Sequence, residues 1–221
     1  MGKRKNKPAA EILASSQNEK KVRRYVVIAL CIAFFVAVNM VVIFALSAES
    51  REESGTRSAD IASLMIRFFY SDYENMSYDD QQAAMESVHH YVRKAAHFLE
   101  YALLGFLTSA LLLFLRRHLY GRRLGYKITW LCPTIFCILY AVTDEVHQIF
   151  SNRGASPKDV VIDSVGAIFG ILCIQLIAAA VRRKETGKCR KRKHQGGTNG
   201  NEATRILPGQ EEPPCSPPDT V

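Results

Sequence analysis

Asp144, Glu145, His147 and Gln148 place four polar side chains within five positions, in Tyr140-Ala-Val-Thr-Asp-Glu-Val-His-Gln-Ile-Phe150. The stretch begins inside an apolar run and ends in a turn. His97-x-x-Glu100 opens a second apolar run, and Asp159 and Asp163 open a third. Carboxylates and imidazoles exchange protons near neutral pH, so Glu145 or His147 suits a general base. His97/Glu100 and Asp144/His147 are two His/carboxylate pairs spaced i, i+3 on different helices. Bundles build metal sites from facing pairs of this kind, usually in the order Glu-x-x-His. A metal held by His97, Glu100, Asp144 and His147 would act on a lipid phosphate or ester. Arg93, Lys94, Arg153 and Lys158 ring the same groups, and such cations suit a phosphate, which Arg can bind bidentately.

These groups sit in apolar surroundings. A carboxylate near a bilayer centre costs about 2.5–3.5 kcal/mol, so a sequence keeps one where it pairs, faces a cavity or does chemistry. Residues 25–48 are apolar with Asn39 interrupting, long enough to span at about 1.5 Å per residue. This run exceeds the ~7–15 residues of a signal-peptide core, so a retained helix is expected. The second span is expected at 95–115, the third at 128–150 with Pro133 near its start, and the fourth at 160–181. Ser156-Pro157-Lys158-Asp159 is a helix start with Ser at N-cap, Pro at the first position and Asp at the third. Gly166-x-x-x-Gly170 suits close helix packing, as does Gly105. Asn39 reads as a helix contact, and Tyr101 and Tyr140 as interfacial anchors or donors to the acids.

Outside the spans, residues 1–24 read as a basic, disordered cytoplasmic tail and 182–221 as another. Residues 49–92 are acidic overall, with Ile61, Leu64, Met65, Phe68 and Phe69 at helical spacing. They suit an amphipathic helix on the outer membrane surface or against the bundle. Ser77-Tyr-Asp-Asp80 resembles a capping box that starts the next helix ahead of its membrane portion. The net charge of +8 comes from basic segments flanking apolar runs, which points to membrane topology and away from nucleic acid. The six cysteines lie in apolar runs or the C-terminal tail, so no secreted disulfide framework is expected.

The positive-inside rule places both termini and the basic 116–127 loop in the cytoplasm. The second helix then enters from outside, the third exits there, and the fourth re-enters. His97 and Glu100, Asp144 to Gln148, and Asp159 and Asp163 all fall at one depth, in the outer part of the membrane. Helical spacing gives each helix one polar face: Arg93/His97/Glu100, Tyr140/Asp144/His147/Gln148 and Asp159/Asp163/Gly166/Gly170.

Arg93-Lys-Ala-Ala-His97-Phe-Leu-Glu100-Tyr101-Ala-Leu-Leu-Gly105, the Asp144-Glu145-x-His147-Gln148 string, Arg153 and Ser156-Pro-Lys-Asp159-Val-Val-Ile-Asp163-Ser-Val-Gly166 together resemble the VanZ-like membrane proteins. The resemblance covers roughly residues 90–180, and Asp163 stands where members often carry Asn. It implies a small polytopic protein of a bacterial plasma membrane, in a family associated with low-level resistance to the lipoglycopeptide teicoplanin. It implies no accepted reaction.

The expectation is therefore an all-α bundle of four transmembrane helices with a VanZ-like core at 93–181. Three readings of the polar cluster stand. In the first, Arg93, Lys94, His97, Glu100, Asp144, Glu145, His147, Gln148, Arg153, Asp159 and Asp163 bind a membrane lipid or lipid-linked cell-wall precursor. In the second, His97, Glu100, Asp144, Glu145 and His147 are catalytic. In the third, the cluster is an internal network that locks helices together. No cofactor is expected.

Overall fold

The computed structural model describes residues 9–48, 63–68, 70, 72–121, 124–150 and 157–198. These residues are helical almost throughout, and no strand occurs among them. The helices are α1 (Ala9–Ala48), α2 (residues 63–68), α3 (Tyr78–Leu115), α4 (Ile128–Phe150) and α5 (Pro157–Thr198). α1, α3, α4 and α5 are long and apolar enough to cross a membrane. Leu30, Phe34, Val41, Leu131, Leu139 and Val161 are exposed at 60 % or more. A water-soluble monomer does not present apolar surface on that scale, whereas a bilayer covers it. The protein is an all-α polytopic membrane protein.

Several helix ends follow from local chemistry. Ser77 caps α3: its hydroxyl accepts from the Asp80 amide at 3.3 Å and donates to Asp80 Oδ2 at 2.6 Å. From there α3 runs unbroken into its apolar part, as the sequence suggests. Its last turn widens into a π turn at Arg116–Tyr120, and Gly121 ends it with φ +55°. Arg116 secures the turn, donating to the Leu124 carbonyl at 2.9 Å and stacking over Tyr126. α4 has the expected bounds. Pro133 has no N–H to give the Thr129 carbonyl one turn earlier, and the Ser109 hydroxyl of α3 donates to that carbonyl at 3.1 Å instead. A packing partner thus satisfies the acceptor that the proline orphans.

Two expected boundaries change. Residues 9–24 continue α1, and residues 182–198 continue α5; neither segment is the disordered tail expected. Ala9, Ala10, Glu11, Leu13 and Ala14 are strong helix formers, as are Arg182, Arg183, Lys184 and Glu185. No proline breaks either segment, so each span propagates its helix outward. Residues 1–8, 49–62 and 199–221 lie outside the described set.

The chain forms two compact units, residues 1–172 and 173–221. The first has its core where α1, α3, α4 and α5 meet: Ile43, Tyr101, Leu104, Cys137, Ala141 and Ala167. α3 and α5 approach at backbone distance. A Cβ on Gly105 would strike the Ala167 carbonyl, one on Gly166 the Phe98 carbonyl, and one on Gly170 the Ala102 carbonyl. Small residues allow this approach, and dispersion then holds the pair together in lipid. A satellite cluster lies on the extension of α3, where Ile66 of α2 packs with Met85, Val88 and Val92. The amphipathic segment therefore docks on the bundle, with Leu64 and Phe68 left exposed. The second unit, taken alone, is a helix carrying Arg182, Arg183, Lys184 and Lys188, with the Thr186 hydroxyl bonded back to the Arg182 carbonyl.

Candidate functional site

The polar face of α4 turns into the first unit. Asp144 is 3 % exposed, Glu145 7 % and Gln148 9 %. Asp144 and Gln148 are one turn apart, and Gln148 Nε2 donates to Asp144 Oδ2 at 3.3 Å. The same amide nitrogen donates to Ser47 Oγ of α1 at 2.8 Å. Below them, the Tyr140 hydroxyl donates to the Met40 backbone carbonyl at 2.7 Å. The Phe44 ring of α1 lies 4.2 Å from the His147 ring. α1 is therefore a wall of the site.

α3 brings His97, Glu100 and Tyr101. His97 Nδ1 lies 3.6 Å from Glu100 Oε2, longer than a hydrogen bond but within ion-pair range. Tyr101 has no exposed surface, its ring stacks 6.2 Å from that of Tyr140, and its hydroxyl faces Asp144 and Asp163. α5 brings Asp163, 3 % exposed, with Asp144, Asp159, Glu145 and Glu100 as its charged neighbours. Asp144 in turn lies near Ser47, His97, Gln148 and His147. The polar groups expected at one depth on three helices are thus brought together, and a fourth helix joins them.

At the rim, Lys94 Nζ lies 3.0 Å from Asp159 Oδ1, joining α3 to α5. Lys158 is exposed and Arg93 half-buried. Arg153 lies outside the described residues. Asp159, which the sequence places at the third position of a helix, is also a salt-bridge partner.

Three oxygens at the centre stand out. Tyr101 Oη, Asp144 Oδ1 and Asp163 Oδ1 are buried without a well-formed hydrogen bond, the Tyr101 hydroxyl being directed toward the Asp144 carboxylate. Such atoms are rare in a settled core, because leaving them unmatched costs about 1–3 kcal/mol each. They mark a place prepared for a donor. No group of three or more His, Cys, Asp or Glu side chains among the described residues is arranged to hold a metal ion.

Sequence reasoning missed Ser47 and the Met40 carbonyl. The available signal was depth: Ser47 lies near the end of the first span, level with Gln148, and a hydroxyl there can meet an amide from a neighbouring helix. Asn39 is buried, as a helix contact should be.

No curated protein and no solved structure matches the chain. A family model does match, over residues 27–178. The matched stretch takes in α1, so it reaches well before the residue 90 at which the sequence resemblance starts. It covers every helix that contributes to the site, and with it the chain belongs to the VanZ/LLP1 family.

Proposed function

We propose that this protein influences susceptibility of the bacterial envelope to glycopeptide and lipoglycopeptide antibiotics by binding a lipid-linked or amphiphilic ligand in an outward-facing polar site. Membership of the family supports the antibiotic link, through the association with teicoplanin. The observation that carries the binding reading is the set of buried, unmatched oxygens on Tyr101, Asp144 and Asp163, contributed by three helices. A purely structural network closes its own hydrogen bonds, since buried polar groups are costly otherwise. The orientation that makes the site outward-facing in the plasma membrane rests on the basic residues at 20–24, 116–127 and 182–188. Occupation of a lipid-linked precursor there would compete with or exclude a drug whose target lies on the outer leaflet.

The test is complementation. Asp144→Asn and Tyr101→Phe are expressed in a deletion strain, with membrane levels matched by immunoblot. Loss of teicoplanin protection at equal protein level is the expected result. Full protection by both variants overturns the binding reading. A catalytic reading ranks second, resting on the His97–Glu100 contact at 3.6 Å and the buried Glu145 as candidate bases.

A further inference from the structure

The chamber is sided in charge. Its centre holds Asp144 and Asp163, with Glu100 and Glu145 around Asp163. Lys94 is engaged with Asp159 at the rim, 3.0 Å away. The charged neighbours of Asp163 are acids, Asp144 among them, and Asp144 has the imidazoles of His97 and His147 beside it as well as Asp163. No lysine or arginine of the described residues is paired with either central acid. Carboxylates taken out of water take up a proton or need a positive or donor partner, because isolated burial of the charge is prohibitive.

We propose that this acidic chamber receives the protonated amino group of an amphiphilic ligand, an alkylammonium chain or a lipid headgroup amine; the inference rests on the ligand-binding reading above. Three observations carry it. Asp144 Oδ1 and Asp163 Oδ1 are unmatched carboxylate acceptors supplied from two helices, with the Tyr101 hydroxyl of a third helix beside them, and an ammonium carries three donors and no acceptor. The acids do not converge tightly enough to ligate a bare metal ion, whereas N–H···O bonds of about 2.8 Å reach across a wider gap. The Tyr101 and Tyr140 rings lie 6.2 Å apart at a tilt of 45°, Asp144 is a charged neighbour of both, and aromatic rings favour a nearby cation. The apolar helix surfaces beneath the site suit the alkyl chain. Arg93 and Lys158 adjoin the Lys94–Asp159 rim pair in sequence and suit a phosphate, so a zwitterionic headgroup matches the order of charges from rim to centre.

The experiment measures equilibrium binding of radiolabelled dodecylamine to the purified full-length protein in detergent, with dodecanol as competitor. Saturable binding that dodecanol does not displace is expected. Asp163→Asn and Asp144→Asn should weaken it by about tenfold or more, the size of one lost charge-assisted hydrogen bond. Tyr101→Phe, which keeps the ring, should weaken it less and serves where an aspartate variant is not monodisperse on gel filtration. Equal displacement by dodecanol, or unchanged affinity in well-folded variants, overturns the proposal. Competition by phosphatidylethanolamine but not phosphatidylglycerol supports the headgroup as the source; competition by neither supports a free amphiphilic amine. The same variants are scored for teicoplanin protection. Protection lost without amine binding in the wild type sinks this inference and spares the functional reading. Amine binding with protection intact in every variant does the reverse.

Discussion

Gln148 connects three helices through one side chain. Its amide nitrogen reaches Ser47 on α1 at 2.8 Å and Asp144 within α4 at 3.3 Å, while Asp144 faces Tyr101 of α3. Replacing Gln148 by Leu keeps the bulk and removes both bonds. Hydrogen bonds between membrane helices are worth about 0.6 kcal/mol on average and up to about 1.7. Gln148→Leu is therefore expected to lower thermal stability in detergent by about 1 kcal/mol, with an additional loss of protection against teicoplanin if the site binds. Ser47→Ala added to Gln148→Leu should cost little more, since the pair shares one interaction. Additive losses would show that Ser47 has a role apart from Gln148. The acids and imidazoles of this site were legible in the sequence because charge in an apolar run is conspicuous. Ser47 was not, because a lone hydroxyl in a membrane helix more often bonds to its own backbone, as Thr108, Thr134 and Ser164 do here.

At the scale of the elements, the α3–α5 contact decides whether the site exists. Asp163 and Asp159 reach the chamber because Gly166 and Gly170 let α5 lie against Phe98 and Ala102, while Gly105 makes room for Ala167. These three glycines read as packing positions in the sequence, but their partners come only from the structure. Gly170→Val should push the helices apart, lose folded protein on gel filtration and release the Lys94–Asp159 bridge. Gly187→Ala meets nothing within 4 Å and should be neutral or slightly stabilising through helix propensity. A folded, stable Gly170→Val would mean that the two helices are not in backbone contact. The α3–α4 contact invites a subtler test. Ser109→Ala leaves the Thr129 carbonyl unmatched next to Pro133 and should cost about 1 kcal/mol. In a Pro133→Ala background the restored N–H serves that carbonyl, and the cost of Ser109→Ala should shrink. What the sequence did not reveal is the role of α1. Its membrane part is apolar on every side, as a helix in lipid can be, so periodicity names no inward face. Only Asn39 and Ser47, both buried, mark one. The helix ends at 9–24 and 182–198 were obscured for a different reason: composition rich in charge suggests a solvated tail, but a helix already formed by a span extends through good helix formers.

For the whole molecule, everything depends on which side the chamber opens. The basic residues Lys20, Lys21, Arg23 and Arg24 precede the span of α1, Arg116, Arg117 and Lys127 lie between α3 and α4, and Arg182, Arg183, Lys184 and Lys188 follow the apolar part of α5. The acids Asp72, Glu74, Asp79, Asp80 and Glu86 lie in the segment between the spans of α1 and α3, after α2 and at the start of α3. Such a division orients a polytopic protein with the basic end in the cytosol. Cys31 and Cys132 are exposed, so a version of the chain lacking its native cysteines is the proper background. In it, Tyr78→Cys should react with a membrane-impermeant maleimide in intact cells, and Lys127→Cys only after lysis. Tyr78 is 72 % exposed, so a failure to label would not come from burial. The reverse pattern would turn Asp144 and Asp163 toward the cytosol. A ligand could then still enter, but a drug confined to the outer surface would not meet it, and the link between this site and glycopeptide susceptibility would have to run through the inner leaflet.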